Sequence, residues 1–160
     1  MKSRFSLCLL LTGLLIPQSC AKKISEEGWL PTYETAGQVT VNGVPAKGAI
    51  VRFYPVSPQA DANSPVVPAG VVQEDGTFQL TSYKSNDGAP EGEYHVTLIW
   101  PDPKLLSPQL STSEDPPDRL KNRFAKPERS TIKVRIAAGE NHLEPIVLEK
   151  VEILSGSSLQ

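Results

Sequence analysis

The sequence contains few of the residues on which metal and redox chemistry depend. It has 160 residues with only two cysteines and two histidines, and 16 Lys and Arg are balanced by 18 Asp and Glu. Near-neutral charge without a basic block argues against a nucleic-acid partner held through its phosphates. So few Cys and His argue against a zinc site or a His-rich redox centre. With 39% hydrophobic residues the chain is not disordered throughout, and its length predicts one domain.

The first twenty residues are typical of an export signal. Lys2 and Arg4 precede an apolar run over residues 5–16, and Pro17 and Cys20 follow it. The run is about 12 residues long, shorter than the roughly 20 that a membrane-spanning helix needs. The pattern therefore predicts a signal peptide over residues 1–19 and an exported protein.

Cys20 would be the only cysteine of the exported chain, because Cys8 lies inside the signal. A lone cysteine excludes an internal disulfide, and in an oxidising compartment it needs some other chemistry. Its position after Ser19 resembles a bacterial lipobox, with Pro17 where leucine is usual. The resemblance implies that Cys20 is acylated and anchors the protein in a membrane of the cell envelope. The alternative is ordinary cleavage after Ala21, which removes Cys20 and leaves a soluble secreted or periplasmic protein.

Residues 20–36 mix charged residues, glycine and proline without periodicity, and they are predicted to form a tether. Trp29, Leu30 and Tyr33 are its apolar exceptions. The sequence leaves open whether these three side chains pack on the domain or hang free, because terminal segments are ordered only when something ties them down.

From residue 37 the apolar residues recur with a period of two. The clearest alternation covers residues 92–100, where Tyr94, Val96 and Leu98 share one face. The other predicted strands are residues 38–41, 49–54, 66–73, 77–82, 131–137 and 143–148. Pro68 places the third strand at an edge or delays its start. Seven strands with one apolar face each predict an all-β, antiparallel two-sheet sandwich over residues 37–149, with a tail at residues 150–160.

The segment between residues 101 and 129 is rich in proline. Its six prolines exclude a continuous helix. A short helix over residues 118–124 is compatible with Pro116 and Pro117 at its start, where the missing N–H is harmless. Because loops of this length are usually functional or mobile, it is the first place to look for a partner.

Several motifs carry a family resemblance. They are Gly37-x-Val39-x-x-Asn42-Gly43-x-Pro45-x-x-Gly48-Ala49-x-Val51-x-Phe53, Glu74-Asp75-Gly76-x-Phe78 and Gly92-x-Tyr94-x-Val96. Together they resemble the carboxypeptidase regulatory-like domain, a transthyretin-like sandwich common in small bacterial exported lipoproteins. The resemblance implies a Greek-key β-sandwich with a non-catalytic accessory or adhesion-like role. It is specific for the fold and uninformative about activity, since each motif position has a structural task.

Enzymatic relatives of this sandwich have features that the chain lacks. The transthyretin-like hydrolases end in a Tyr-Arg-Gly-Ser tail, whereas residues 155–160 read Ser-Gly-Ser-Ser-Leu-Gln. Intradiol dioxygenases hold iron with two Tyr and two His, but His95 and His142 are not closely spaced. No nucleophile with its base can be assembled from the sequence. We therefore predict a protein that is not an enzyme and has no cofactor.

The loop region also contains candidate binding residues. Trp100 ends the clearest strand, where it is either a platform for a sugar ring or protein partner or a cover over its own core. A run of cations is either an anion-binding patch for a glycan or lipid headgroup or a solvated helix face. The cations are Arg119, Lys121, Arg123, Lys126 and Arg129.

Acidic residues in the predicted loops raise the question of calcium. These residues are Asp61, Asp75, Asp87, Glu91 and Glu93. They lack calcium-loop spacing, so solvated acids are the simpler interpretation and no metal site is predicted. The sequence thus favours a structural or interaction module at the cell envelope, with a membrane and an envelope protein or glycan as partners. A carbohydrate- or calcium-binding domain using the loops near Trp100 is the alternative.

Overall fold

A computed structural model describes residues 28–57, 66–102 and 116–154 of the protein. Within these ranges the chain forms eleven short strands and a single 3₁₀ turn at Pro127–Arg129. The strands are β1 Thr32–Tyr33, β2 Thr35–Val41, β3 Val44–Pro45, β4 Ile50–Pro55, β5 Ala69–Val71, β6 Thr77–Gln79, β7 Ala89–Pro90, β8 Gly92–Ile99, β9 Lys133–Ile136, β10 Asn141–His142 and β11 Ile146–Leu148. The all-β class predicted from the alternating pattern is confirmed.

Two main sheets form the sandwich. One has the order β5-β4-β8-β9, with every neighbouring pair antiparallel. The other is built around β2, with β3 and β6 antiparallel to it and β10 and β11 parallel to it. A small β1–β7 pair lies beside them. β5 begins directly after Pro68 at the edge of its sheet, where a residue without an N–H is tolerated.

The parallel pairing of β10 and β11 with β2 corrects the purely antiparallel arrangement predicted from the sequence. Each of the seven predicted runs overlaps a strand, and β1, β3, β7 and β10 are additional two-residue strands. After β9 the chain crosses to the other sheet, with Gly139 at a φ of 106° in the crossing. It therefore enters that sheet alongside β2 in the same direction, instead of returning through a hairpin.

The core lies between the two main sheets. Val51 and Phe53 of β4 and Tyr94 of β8 are fully buried, because alternate residues of a strand point to the same face. The Phe53 ring lies 6.1 Å from the Tyr94 ring and 6.2 Å from that of Phe78 in β6, which belongs to the opposite sheet. Each such buried side chain contributes about 1.5–3 kcal/mol to folding, so the inward positions of both sheets stabilise the sandwich.

The folded unit extends beyond residues 37–149 at both ends. β1 and the start of β2 lie within the predicted tether. At the other end Val151 is buried, and the Asn42 side chain donates to its carbonyl at 2.8 Å and accepts from its N–H at 3.0 Å. Residues 32–36 and 150–154 therefore pack as part of the domain.

The helix predicted over residues 118–124 is replaced by successive turns. Lys121 and Asn122 have φ values of 55° and 56°, which a right-handed helix cannot accommodate. In the described ranges, no helix has the length and apolar character to cross a membrane.

Candidate functional site

Trp100, for which the sequence left open a stacking platform or a cover over its own core, lies in the core. Its side chain is only 5% exposed, and the indole N–H donates to the Lys47 carbonyl at 2.8 Å. The Arg119 guanidinium covers the ring, 3.9 Å from its centroid. Trp100 therefore offers no open ring face to a sugar or a protein partner, because the chain itself occupies both the indole N–H and the adjacent surface.

Asp118 holds the segment that covers Trp100. It is 6% exposed, and its Oδ1 accepts from the N–H groups of Trp100 at 2.7 Å and Leu120 at 3.0 Å. Its Oδ2 accepts from Asn122 N–H at 2.8 Å. Three backbone N–H groups thus solvate a buried carboxylate. From the sequence Asp118 was only a residue at the start of a predicted helix.

The structure places Arg119, Lys121 and Arg123 in different surroundings. Arg119 lies on Trp100, with its Nε 3.9 Å from Asp102 Oδ2. Lys121 pairs with Glu152, and this hydrogen bond and charge lower the pKa of the Glu152 carboxyl. Arg123 lies over the Phe124 ring, 5.5 Å from its centroid. Each of the three cations therefore contacts a different part of the chain, whereas the anion-binding patch considered from the sequence would need them to face one ligand together.

The loop acids fall within the described ranges except for Asp61. Asp75 Oδ1 accepts from the hydroxyl of Thr77 at 2.7 Å and from its backbone N–H at 2.9 Å. These two bonds lower the pKa of Asp75, the hydroxyl contributing more. Residues 28–57, 66–102 and 116–154 contain no group of three or more His, Cys, Asp or Glu positioned to hold a metal ion.

The two histidines lie in different sheets. His95 is in β8, opposite Tyr54 of β4 and Lys133 of β9. His142 is in β10 and is exposed, with its Nε2 2.9 Å from Glu140 Oε1. They therefore do not share a site.

A groove of about 710 Å³ runs between β5 and β6. Its polar lining residues are Gln73, Thr77, Gln79, Thr81 and Asn86, and none of the residues that line it is charged. The sequence did not indicate this groove, because β5 and β6 belong to different sheets and are brought together only by long-range packing.

An aromatic pair at the start of the domain was also not predicted. The Trp29 and Tyr83 rings stack with centroids 4.5 Å apart and planes 7° apart, and Leu30 N–H donates to the Tyr83 hydroxyl at 3.2 Å. Lys84 Nζ lies 5.4 Å from the Trp29 ring centroid. The sequence left open whether Trp29 packs on the domain or hangs free, and the stack on Tyr83 shows that it packs on the domain. Cys20, the predicted lipidation residue, lies outside the described residues.

Comparison of the chain with protein-family models, with curated proteins and with solved structures found no match.

Proposed function

We propose that this protein is a non-catalytic lipoprotein of the cell envelope, a β-sandwich interaction module anchored through acylated Cys20. In this proposal residues 1–19 direct export and are removed. The domain then belongs with the carboxypeptidase regulatory-like, transthyretin-like sandwiches that its motifs resemble.

The observation that carries the proposal is the position of Cys20. It follows an apolar run of signal length, and it is the only cysteine outside that signal. This arrangement supports a lipid at Cys20, because a lone cysteine in an exported chain needs some chemistry other than an internal disulfide. Acyl chains contribute about 0.8 kcal/mol per buried methylene, so more than one chain gives a stable anchor.

The side chains of the described domain support a structural role over a catalytic one. Trp100 and Asp118 are buried and hydrogen-bonded to backbone groups. His95 and His142 lie in different sheets. A general base must lie within hydrogen-bond reach of the group that it activates, and His142 Nε2 instead lies 2.9 Å from Glu140 Oε1.

The test is the mass of the native N-terminus after extraction from membranes. We expect a chain that begins at Cys20 and carries the added mass of acyl groups. A Cys20→Ser variant should lose that mass and leave the membrane fraction, with Cys8→Ser as the matched control that changes neither. A native chain that begins at Lys22 would contradict the proposal, because cleavage after Ala21 discards Cys20.

Glycan binding is a second candidate function, favoured by the groove between β5 and β6. Its uncharged lining includes Gln, Asn and Thr, residue types that can hydrogen-bond to a neutral sugar, whereas the buried Trp100 takes no part. We expect a neutral envelope glycan to raise the melting temperature of the protein. Gln79→Ala should abolish that rise, and Gln38→Ala, outside the groove, should retain it. An unchanged melting temperature across a panel of glycans would eliminate this candidate.

A further inference from the structure

The Trp29–Tyr83 pair involves a residue only nine positions after Cys20 in the sequence. Trp29 is half-buried, unlike the core residue Trp100. The Trp29 ring is held by its stack on Tyr83 and the Tyr83 hydroxyl by Leu30 N–H. Both rings therefore occupy a defined position on the surface at the anchored end of the domain.

The loop that presents Tyr83 is itself ordered. Asp87 accepts from the N–H groups of Ser82 at 2.7 Å, Tyr83 at 3.1 Å and Lys84 at 2.9 Å. Gly88 packs so closely on the Tyr33 backbone that an added Cβ would lie 1.7 Å from the Tyr33 carbonyl oxygen. The loop is thereby fixed against β1, and the aromatic pair is positioned before any partner arrives.

The chain between Cys20 and Gly28 limits how far this surface can lie from an anchored lipid. In any conformation these eight steps span at most about 28 Å. That is close to the length of the eight-residue strand β8, about 26 Å at 3.3 Å per residue. The tether therefore holds the end that carries Trp29 within about 28 Å of the lipid, which allows that end to contact the bilayer.

We propose that the Trp29–Tyr83 pair contacts the headgroup region of the bilayer and orients the sandwich with β1 and the 82–88 loop toward the membrane. This inference rests on the proposed lipid anchor. Tryptophan and tyrosine are the side chains enriched at membrane–water interfaces, because their rings are apolar and their N–H and O–H groups remain hydrated. The Asn42-Gly43 turn, at the other end of β2, then faces away from the membrane.

The test is tryptophan quenching in the native lipid-bearing protein, reconstituted in vesicles of phosphatidylethanolamine and phosphatidylglycerol. Some of the lipids carry bromine near the glycerol end of their acyl chains. The Trp29→Phe variant leaves only the buried Trp100 and supplies the background. The combined variant Trp29→Phe and Val44→Trp moves the surface probe to an exposed residue beside the Asn42-Gly43 turn. Val44 pairs with Val41 at the end of β2, and the seven residues of β2 place that end roughly 20 Å from Thr35.

We expect brominated vesicles to quench part of the wild-type emission. Trp29→Phe should lose that quenching, and the Val44→Trp probe should not restore it. A lipid-bearing protein whose Trp29 emission is insensitive to bromine, or whose Val44→Trp probe is quenched equally, overturns the proposed orientation alone. A native chain without the lipid overturns both this inference and the proposed function, and the N-terminal mass distinguishes the two cases.

Discussion

The two tryptophans lie beside loops that are ordered by the same device. In each loop an aspartate accepts hydrogen bonds from three backbone N–H groups. Asp118 receives them from Trp100, Leu120 and Asn122. Asp87 receives them from Ser82, Tyr83 and Lys84.

The two loops differ in how far along the chain their donors lie. Asp118 reaches back 18 residues to Trp100 and is buried, so it joins the end of β8 to a distant segment and closes the core. Asp87 binds donors at most five residues away and remains half-buried, so it orders one surface loop. The same carboxylate chemistry therefore encloses Trp100 in one place and presents the partner of Trp29 in the other. Sequence separation and burial decide which outcome follows.

Replacing each tryptophan by alanine should produce the largest difference between the two regions. Trp100→Ala should lower the free energy of unfolding by about 4 kcal/mol, because it leaves a cavity in the core. Trp29→Ala should lower it by about 1 kcal/mol, the value of a stacked aromatic pair at the surface. Urea unfolding followed by circular dichroism measures both. Equal losses would show that the N-terminal aromatic pair is as much a part of the core as Trp100.

Replacing each aspartate should produce a smaller difference in the free energy of unfolding, again with the larger loss in the region of Trp100. Asp118→Ala leaves buried N–H groups without an acceptor, and we expect it to lower the free energy of unfolding by about 3 kcal/mol. Asp87→Ala should cost about 1 kcal/mol, because water can reach its donors. Asp118→Asn is the matched control, since it keeps the shape and one acceptor oxygen and should fall between these values. If Asp87→Ala proved the more harmful, burial would not be what distinguishes the loops.

Asp75 extends the comparison to an exposed loop aspartate, where we expect the smallest effect. Its lowered pKa means that the folded state favours the carboxylate. This contribution to stability is present above the usual value of about 3.9 and is lost as the pH falls through the lowered pKa. Thr77→Val should raise the pKa of Asp75 toward its usual value by removing the hydroxyl donor, and Thr77→Ser should preserve it. NMR titration of the Asp75 carboxyl measures the pKa; an unchanged value in Thr77→Val would assign the effect to the backbone N–H.

The positions of the strands were predictable where the sequence pattern is local. The alternation over residues 92–100 corresponds to β8. The Asn42-Gly43 turn, with both residues at positive φ, joins β2 to the short β3, whereas the next predicted strand, residues 49–54, lies in the other sheet as β4. The direction of β10 and β11 was not predictable. It depends on how a crossing near Gly139 enters a sheet that contains β2, about one hundred residues earlier in the chain.

In the candidate site, too, local sequence features could be predicted and contacts between distant residues could not. Trp100 could be recognised as important, but its burial depends on the Lys47 carbonyl and on Arg119, which lie 53 and 19 residues away. The short helix that the sequence allowed at residues 118–124 is not formed, and Asp118 binds the backbone of Trp100 in addition to its own turn. Neither the groove between β5 and β6 nor the Trp29–Tyr83 stack has a local signature, because each joins residues from separate segments.

By itself the sequence determined the all-β class, most of the strand positions and the expectation of an exported chain with a lone cysteine at position 20. Those features depend on alternation, turn dipeptides and short signals, which act over a few residues. The tertiary structure alone decided which tryptophan is enclosed, which lies at the surface and which strands run parallel. Each of these depends on free energies of contact between residues that are brought together only when the two sheets close over a common core.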